Sequence, residues 1–236
     1  MRREEFFAEW SSLHGGAKIE GIVQGWLKIS FQLAKFLRAL RVTPNSLTSI
    51  GVLFAVALYL VATFSDLSNP INLIFIFSLL ALSLIADGVD GSLAIIGGTG
   101  TRFGAAWDAI ADRITESSWA LVFIVLGADF RLVLVVWLLA CVQEYIRARS
   151  GGLGVSEIGI VTICERPVRA SILAIAITAQ LLSSFISVDF QAPSPLLSNA
   201  FTLVWLLMQS LSVAMLWRKT WRRPRRTGCL PLGLAP

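Results

Sequence analysis

Charge and histidine are scarce in this chain. Only 15% of its 236 residues are Asp, Glu, Lys or Arg, whereas 56% are hydrophobic. Together with a mean hydropathy of +0.73, that shortage of charge excludes an ordinary soluble domain and points to an integral membrane protein. The single histidine, His14, leaves no recognisable catalytic dyad. The three cysteines, Cys141, Cys164 and Cys229, have neither metal-ligand spacing nor the pattern of a disulfide framework. A secretory signal peptide is not visible either. The start, MRREEFFAEW, is charged and lacks an apolar run ahead of a small-residue cleavage site. There is no internal repeat and no low-complexity segment.

Long apolar runs are what the chain has in quantity. Six approach spanning length, at roughly 46–64, 70–87, 105–127, 130–146, 168–187 and 197–217. The expected fold is all-α and integral to the membrane, with six transmembrane helices. Residues 21–40 mix apolar side chains with Lys28, Lys35 and Arg38 at helical spacing. They read as an amphipathic helix on the cytoplasmic membrane surface, or as a simple lead-in to the first span. The expected organisation is a cytoplasmic N-terminal segment (1–42), a six-helix membrane domain (43–217) and a basic tail (218–236).

The basic residues orient the chain. Seven of the 20 Lys and Arg precede residue 42 and six lie in RKTWRRPRR, 218–226, whereas the connections near 65–69 and 188–196 have none. By the positive-inside rule both termini are cytoplasmic in a multi-pass protein of the cell membrane. Topology thus accounts for the basic clusters without nucleic acid, and the tail would also favour anionic lipid.

Against this apolar background four aspartates stand out: Asp87 and Asp90, three apart, then Asp108 and Asp112, four apart. On helices each pair shares one face. Carboxylates near a bilayer are costly and mark a functional site by default. An oxygen-rich cluster of this kind suits Mg²⁺ or Mn²⁺, and structural salt bridges are the other reading. The turn between the pairs, IIGGTGTRFG, is not a Walker loop, because no Lys-Ser or Lys-Thr follows its glycines. It reads as the connection that lets two helices approach. Gly91 and Gly104 fall where a side chain would obstruct a ligand or a neighbouring helix. Pro44, with Asn45, Ser46 and Thr48 around it, opens a helix whose free N–H groups either are capped locally or meet an anion.

The segment 87–112 resembles the signature of the CDP-alcohol phosphotransferases, D-x-x-D-G-x-x-A-R-x8-G-x-x-x-D-x-x-x-D. Asp87, Asp90, Gly91, Ala94, Gly104, Asp108 and Asp112 fall in register, and Ile95 stands where the pattern has Arg. The likeness extends over about 44–170 and is nearest to actinobacterial phosphatidylinositol-phosphate synthases. It implies transfer of a phosphatidyl group from CDP-diacylglycerol to a small alcohol, best matched by inositol 1-phosphate with glycerol 3-phosphate or another alcohol as the alternative, with release of CMP. It also implies two ions, Mg²⁺ or Mn²⁺, on Asp87, Asp90, Asp108 and Asp112, with Asp112 doubling as general base. Asn45, Ser46, Leu47 and Thr48, together with Gly91 and Thr101, would lie against the CDP-lipid. A homodimer is implied as well.

The loop 147–169 carries the second half of the likeness, in YIRAR (145–149) and ERPVR (165–169). By it Arg147 and Arg169 would grip the phosphate of the acceptor, with Arg218 as a third. Arginine suits bidentate phosphate recognition, although positive-inside topology alone also places arginines here. Glu144 stands where those relatives have Ser, a carboxylate beside an expected phosphate. Two other classes are distinguishable. An ion-coupled transporter would want acidic residues near mid-membrane and broken helices in both halves, but these aspartates cluster at one edge. An inactive lipid-binding paralogue would fit Ile95 and Glu144, yet every expected metal ligand is retained.

Overall fold

The computed structural model describes residues 1–152, 161–186 and 193–221. Residues 153–160 of the 147–169 loop, Cys229 and the basic residues beyond 221 lie outside these. The described residues form eight α-helices and no strand: α1 (Arg3–Leu13), α2 (Gly21–Ala39), α3 (Pro44–Phe64), α4 (Pro70–Gly97), α5 (Arg102–Val125), α6 (Phe130–Gly152), α7 (Arg166–Ile186) and α8 (Pro195–Trp221).

The helix starts follow from local chemistry. Thr43 caps α3, its hydroxyl accepting from the Ser46 N–H at 3.2 Å, with Pro44 at the first position, where its missing N–H costs nothing. Asn69 and Pro70 repeat the device at α4, the Asn69 side-chain Oδ1 accepting from the Ile71 N–H at 3.0 Å. Gly98, at φ 61°, ends α4 in the left-handed conformation that glycine adopts without penalty. Three residues later Thr101 caps α5 through the Gly104 N–H at 2.9 Å. The tight link between the two acidic pairs is therefore a C-cap followed at once by an N-cap.

Among the described residues four helices are long and apolar enough to cross a membrane: α3, α4, α7 and, within α8, Pro195–Lys219. Two of the six expected runs, α5 and α6, form helices of 24 and 23 residues. Both carry charge, from Asp108 to Glu116 in α5 and from Glu144 to Arg149 in α6. The main core joins α3, α4, α5, α6, α7 and α8 around Leu58, Leu73, Phe123, Val136, Leu173 and Trp205. A second core, with Phe6, Leu27, Phe31, Ala34, Val89 and Leu93, fastens α1 and α2 to the far end of α4. In α2 the buried residues recur as Leu27, Ser30, Phe31 and Ala34, the spacing of one helical face.

Candidate active site

The end of α4, the start of α5 and the first turn of α7 enclose the aspartates. Carboxylate oxygens of Asp87, Asp108 and Asp112 lie within 4.8 Å of one another. Asp87 of the first pair and both members of the second thus come together across the turn, whereas Asp90 does not join them. Asp90 sits beside this triad and faces α3. Its Oδ2 accepts from the Thr48 hydroxyl at 2.5 Å and its Oδ1 from the Gly91 N–H at 2.6 Å. Asp90 is almost fully buried, so these two bonds satisfy a carboxylate that would otherwise be costly.

Next to the triad is an open cleft of about 210 Å³, lined by Pro44, Asn45, Thr48, Asp90, Gly91, Thr101, Gly104 and Asp108 among others. Of the residues expected to meet a nucleotide, Asn45, Thr48, Gly91 and Thr101 line this cleft. Ser46 instead closes the α3 capping box, and Leu47 is buried in the N-terminal core. The glycine expectation divides. A Cβ on Gly104 would sit 2.9 Å from Asn45 Oδ1, whereas one on Gly91 would meet nothing within 4 Å. Gly104 brings α5 up to α3, and Gly91 opens onto the cleft. Ile95 packs against the second core, and Arg102 is an exposed residue at the start of α5.

Sequence reasoning missed Arg166. Its guanidinium hydrogen-bonds Asp87 and lies 3.0 Å from Asp112 Oδ1, over the Trp119 ring at 5.5 Å. Its side chain is mostly buried, so it neutralises part of the triad from within. The signal was present in the ERPVR run, where Arg166 begins α7 three residues before Arg169. Glu116 was missed as well. It is one turn beyond Asp112 and buried, paired with Arg113 at 2.9 Å and Arg169 at 2.7 Å.

The three arginines proposed for phosphate are placed differently from one another. Arg169 is fully buried, with Glu116, with Glu144 at 3.0 Å and with Gln209 at 3.2 Å. Arg147 binds both oxygens of Glu165, at 2.5 and 2.6 Å, and lies 3.5 Å from Glu144. Burial pushes the Glu165 carboxyl up, but hydrogen bonds from Arg147 and Thr162 outweigh it and hold the group below the usual carboxylate range. Arg218 is exposed near the end of α8. A buried chain of side-chain amides supports the cluster, with Gln209 donating to Gln143 at 2.7 Å and Gln143 to Thr162 at 3.1 Å.

The CDP-alcohol phosphatidyltransferase family matches residues 41–221. Among curated relatives, the phosphatidylinositol phosphate synthase of Corynebacterium glutamicum is 35% identical over 66% of this chain and 69% of its own. That of Mycobacterium marinum is 32% identical over 76% and 73%. A solved phosphatidylinositol phosphate synthase from Mycobacterium tuberculosis, in complex with manganese and citrate, has the same fold. It aligns with a TM-score of 0.62 over 85% of this chain and 93% of that one, at 23% identity. A second structure of that protein, with CDP-DAG bound, aligns with a TM-score of 0.61 over 86% and 98%, at 22% identity.

Proposed function

This chain belongs to the CDP-alcohol phosphatidyltransferase family, and on that premise we propose that it transfers the phosphatidyl group of CDP-diacylglycerol to inositol 1-phosphate, releasing CMP. The observation that carries this reading is the convergence of Asp87, Asp108 and Asp112 to within 4.8 Å beside an open cleft. The acceptor is supported by the relatives named for that product and by the arginines of α6 and α7.

An all-oxygen donor set of three carboxylates fits Mg²⁺ or Mn²⁺. A relative of the same fold contains manganese. Asp87, Asp108 and Asp112 would hold two such ions, with Asp90 completing the set from its place on Thr48. When bound, the ions supply positive charge to the phosphoryl oxygens of the donor and to the leaving CMP.

The chain's own residues do the rest. Asn45, Thr48, Gly91 and Thr101 shape the cleft for the nucleotide. The acceptor hydroxyl attacks the phosphorus that carries the diacylglycerol, a new P–O bond forms, and the P–O bond to CMP breaks. Asp112 takes the hydroxyl proton. Arg166, between Asp87 and Asp112, balances charge at the reacting centre, while Arg147 and Arg169, with Arg218 as a third, hold the acceptor's phosphate. The acyl chains remain in the bilayer, and the nucleotide enters from water. In this reading α5 and α6 join the four apolar helices as spans, α2 lies on the cytoplasmic surface, and two chains associate as a homodimer in the cell membrane with their termini in the cytoplasm.

The test is CMP release by the purified protein in detergent, with CDP-diacylglycerol, Mg²⁺ or Mn²⁺, and a panel of inositol 1-phosphate, inositol, glycerol 3-phosphate and serine. The expected outcome is release that depends on inositol 1-phosphate, stops in EDTA and returns with added metal. Activity that persists in EDTA overturns the metal role, and dependence on another alcohol overturns the acceptor.

A further inference from the structure

Two arginines proposed for the acceptor's phosphate share one carboxylate oxygen. Glu144 Oε1 is 3.0 Å from Arg169 Nη2 and 3.5 Å from Arg147 Nη1. A single anionic oxygen between two guanidinium groups is the arrangement a phosphate oxygen adopts when two arginines bind it. We propose that Glu144 is a built-in occupant of the acceptor's phosphate position, which the phosphate displaces on binding. This rests on the acceptor reading above and adds a residue that sets acceptor affinity.

The other carboxylates of the cluster cannot serve this way. Glu116 is 3% exposed and compensates Arg113 as well as Arg169. Removing it would leave two guanidinium groups short of their partner, one of them fully buried. Glu165 holds Arg147 through both oxygens and also accepts from the Thr162 N–H at 2.5 Å and hydroxyl at 2.7 Å. Glu144 is different. Its side chain is 26% exposed, so it can turn toward water without burying its own charge once another anion takes its place on Arg169. Arg169 is 0% exposed, and it needs a counter-charge on Nη2 whether or not substrate is present. Glu144 supplies one in the empty site. A phosphate, carrying more charge than a carboxylate, supplies a better one, and the two anions cannot share that place.

The consequence is a penalty on acceptor binding that falls only on phosphorylated alcohols. Turnover by the wild type, Glu144→Gln, Glu144→Ser and Glu144→Asp is measured against inositol 1-phosphate at saturating CDP-diacylglycerol. Calorimetry with inorganic phosphate is run on the metal-free proteins. Removing the competing charge is expected to lower the acceptor KM and the phosphate Kd by about tenfold in the Gln and Ser variants. The KM for CDP-diacylglycerol should not move, and the Asp variant should keep weak, wild-type-like phosphate binding. An unchanged or raised acceptor KM in folded Gln and Ser variants overturns the proposal. Loss of fold in both also overturns it, because Glu144 would then be an indispensable structural counter-ion. Wild-type turnover of inositol but not of inositol 1-phosphate removes the acceptor reading itself, and this inference with it.

Discussion

Thr48 and Asp90 meet across the α3–α4 contact, Oγ1 to Oδ2 at 2.5 Å, with both residues buried. A hydrogen bond to a charged group contributes about 1.5–3 kcal/mol, and leaving a buried carboxylate oxygen unsatisfied costs at least as much. Thr48→Val is therefore expected to lower the melting temperature and the rate of CMP release together, while Thr48→Ser preserves both. Loss in the Ser variant with the Val variant unchanged would mean that the methyl group's packing, not the hydroxyl, matters. Asp112→Asn is a different kind of change. It keeps the shape and removes the proton acceptor, so turnover should fall by roughly 10²–10⁴-fold with the fold intact. A variant that keeps the wild-type rate would remove Asp112 as the base.

At the scale of elements, α2 has three faces. Leu27, Ser30, Phe31 and Ala34 are buried against α4; Ile22, Ile29 and Phe36 form an exposed apolar stripe that the C-cap Leu40 extends; Lys28 and Lys35 face outward on the third side. Protein, lipid and water each match one face, which supports the surface placement proposed above. The inner face bears on the stretch of α4 that carries the acidic pair. Trp26 lies on Gly88, where a Cβ would come within 2.5 Å of the indole Cζ2. Ser92 donates to Ser30 at 3.1 Å, and Arg38 to the Ile96 carbonyl. Gly88→Ala must push the indole, and α2 with it, off the helix that presents Asp87 and Asp90. The expected cost is about 1–3 kcal/mol of stability, partly recovered by adding Trp26→Leu. Thermal melts of the single and double variants check this, and an unshifted melt for Gly88→Ala would show that α2 is held loosely.

For the whole molecule the issue is which side each end faces. At about 1.5 Å per residue, the 28-residue α4 is ~42 Å long, more than the ~30 Å hydrocarbon core. Its last turns, with Asp87 and Asp90, can therefore stand at the membrane edge while its apolar part spans. Basic residues gather on the side of that edge, and the 65–69 connection has none. With the native cysteines replaced by serine, Ser12→Cys should react with an impermeant thiol reagent only in inside-out vesicles. Ser68→Cys should react only in intact spheroplasts. The reverse pattern would invert the proposed orientation.

Much of this protein was legible in its residues before any tertiary structure. Composition dictated a helical membrane chain. The Pro44 helix start was readable because a cap acts over only a few residues, whereas the Pro70 and Thr101 starts and the Gly98 stop came with the structure. The acidic pairs could be placed on helix faces because neighbours three and four apart meet within one turn. The charge partners could not be found this way. Arg166 reaches Asp87 from 79 residues away, and Arg169 reaches Glu116 from 53. Those pairings depend on how α4, α5 and α7 are rotated and packed against one another, which no local spacing records. The sequence by itself therefore determined the apolar helical runs and which aspartates share a helix face. Only the tertiary structure decided which cations neutralise the aspartates, and that Arg147 and Arg169, two of the three arginines expected to await a phosphate, already hold carboxylates, because a buried charge must be paired with whatever the fold brings within reach.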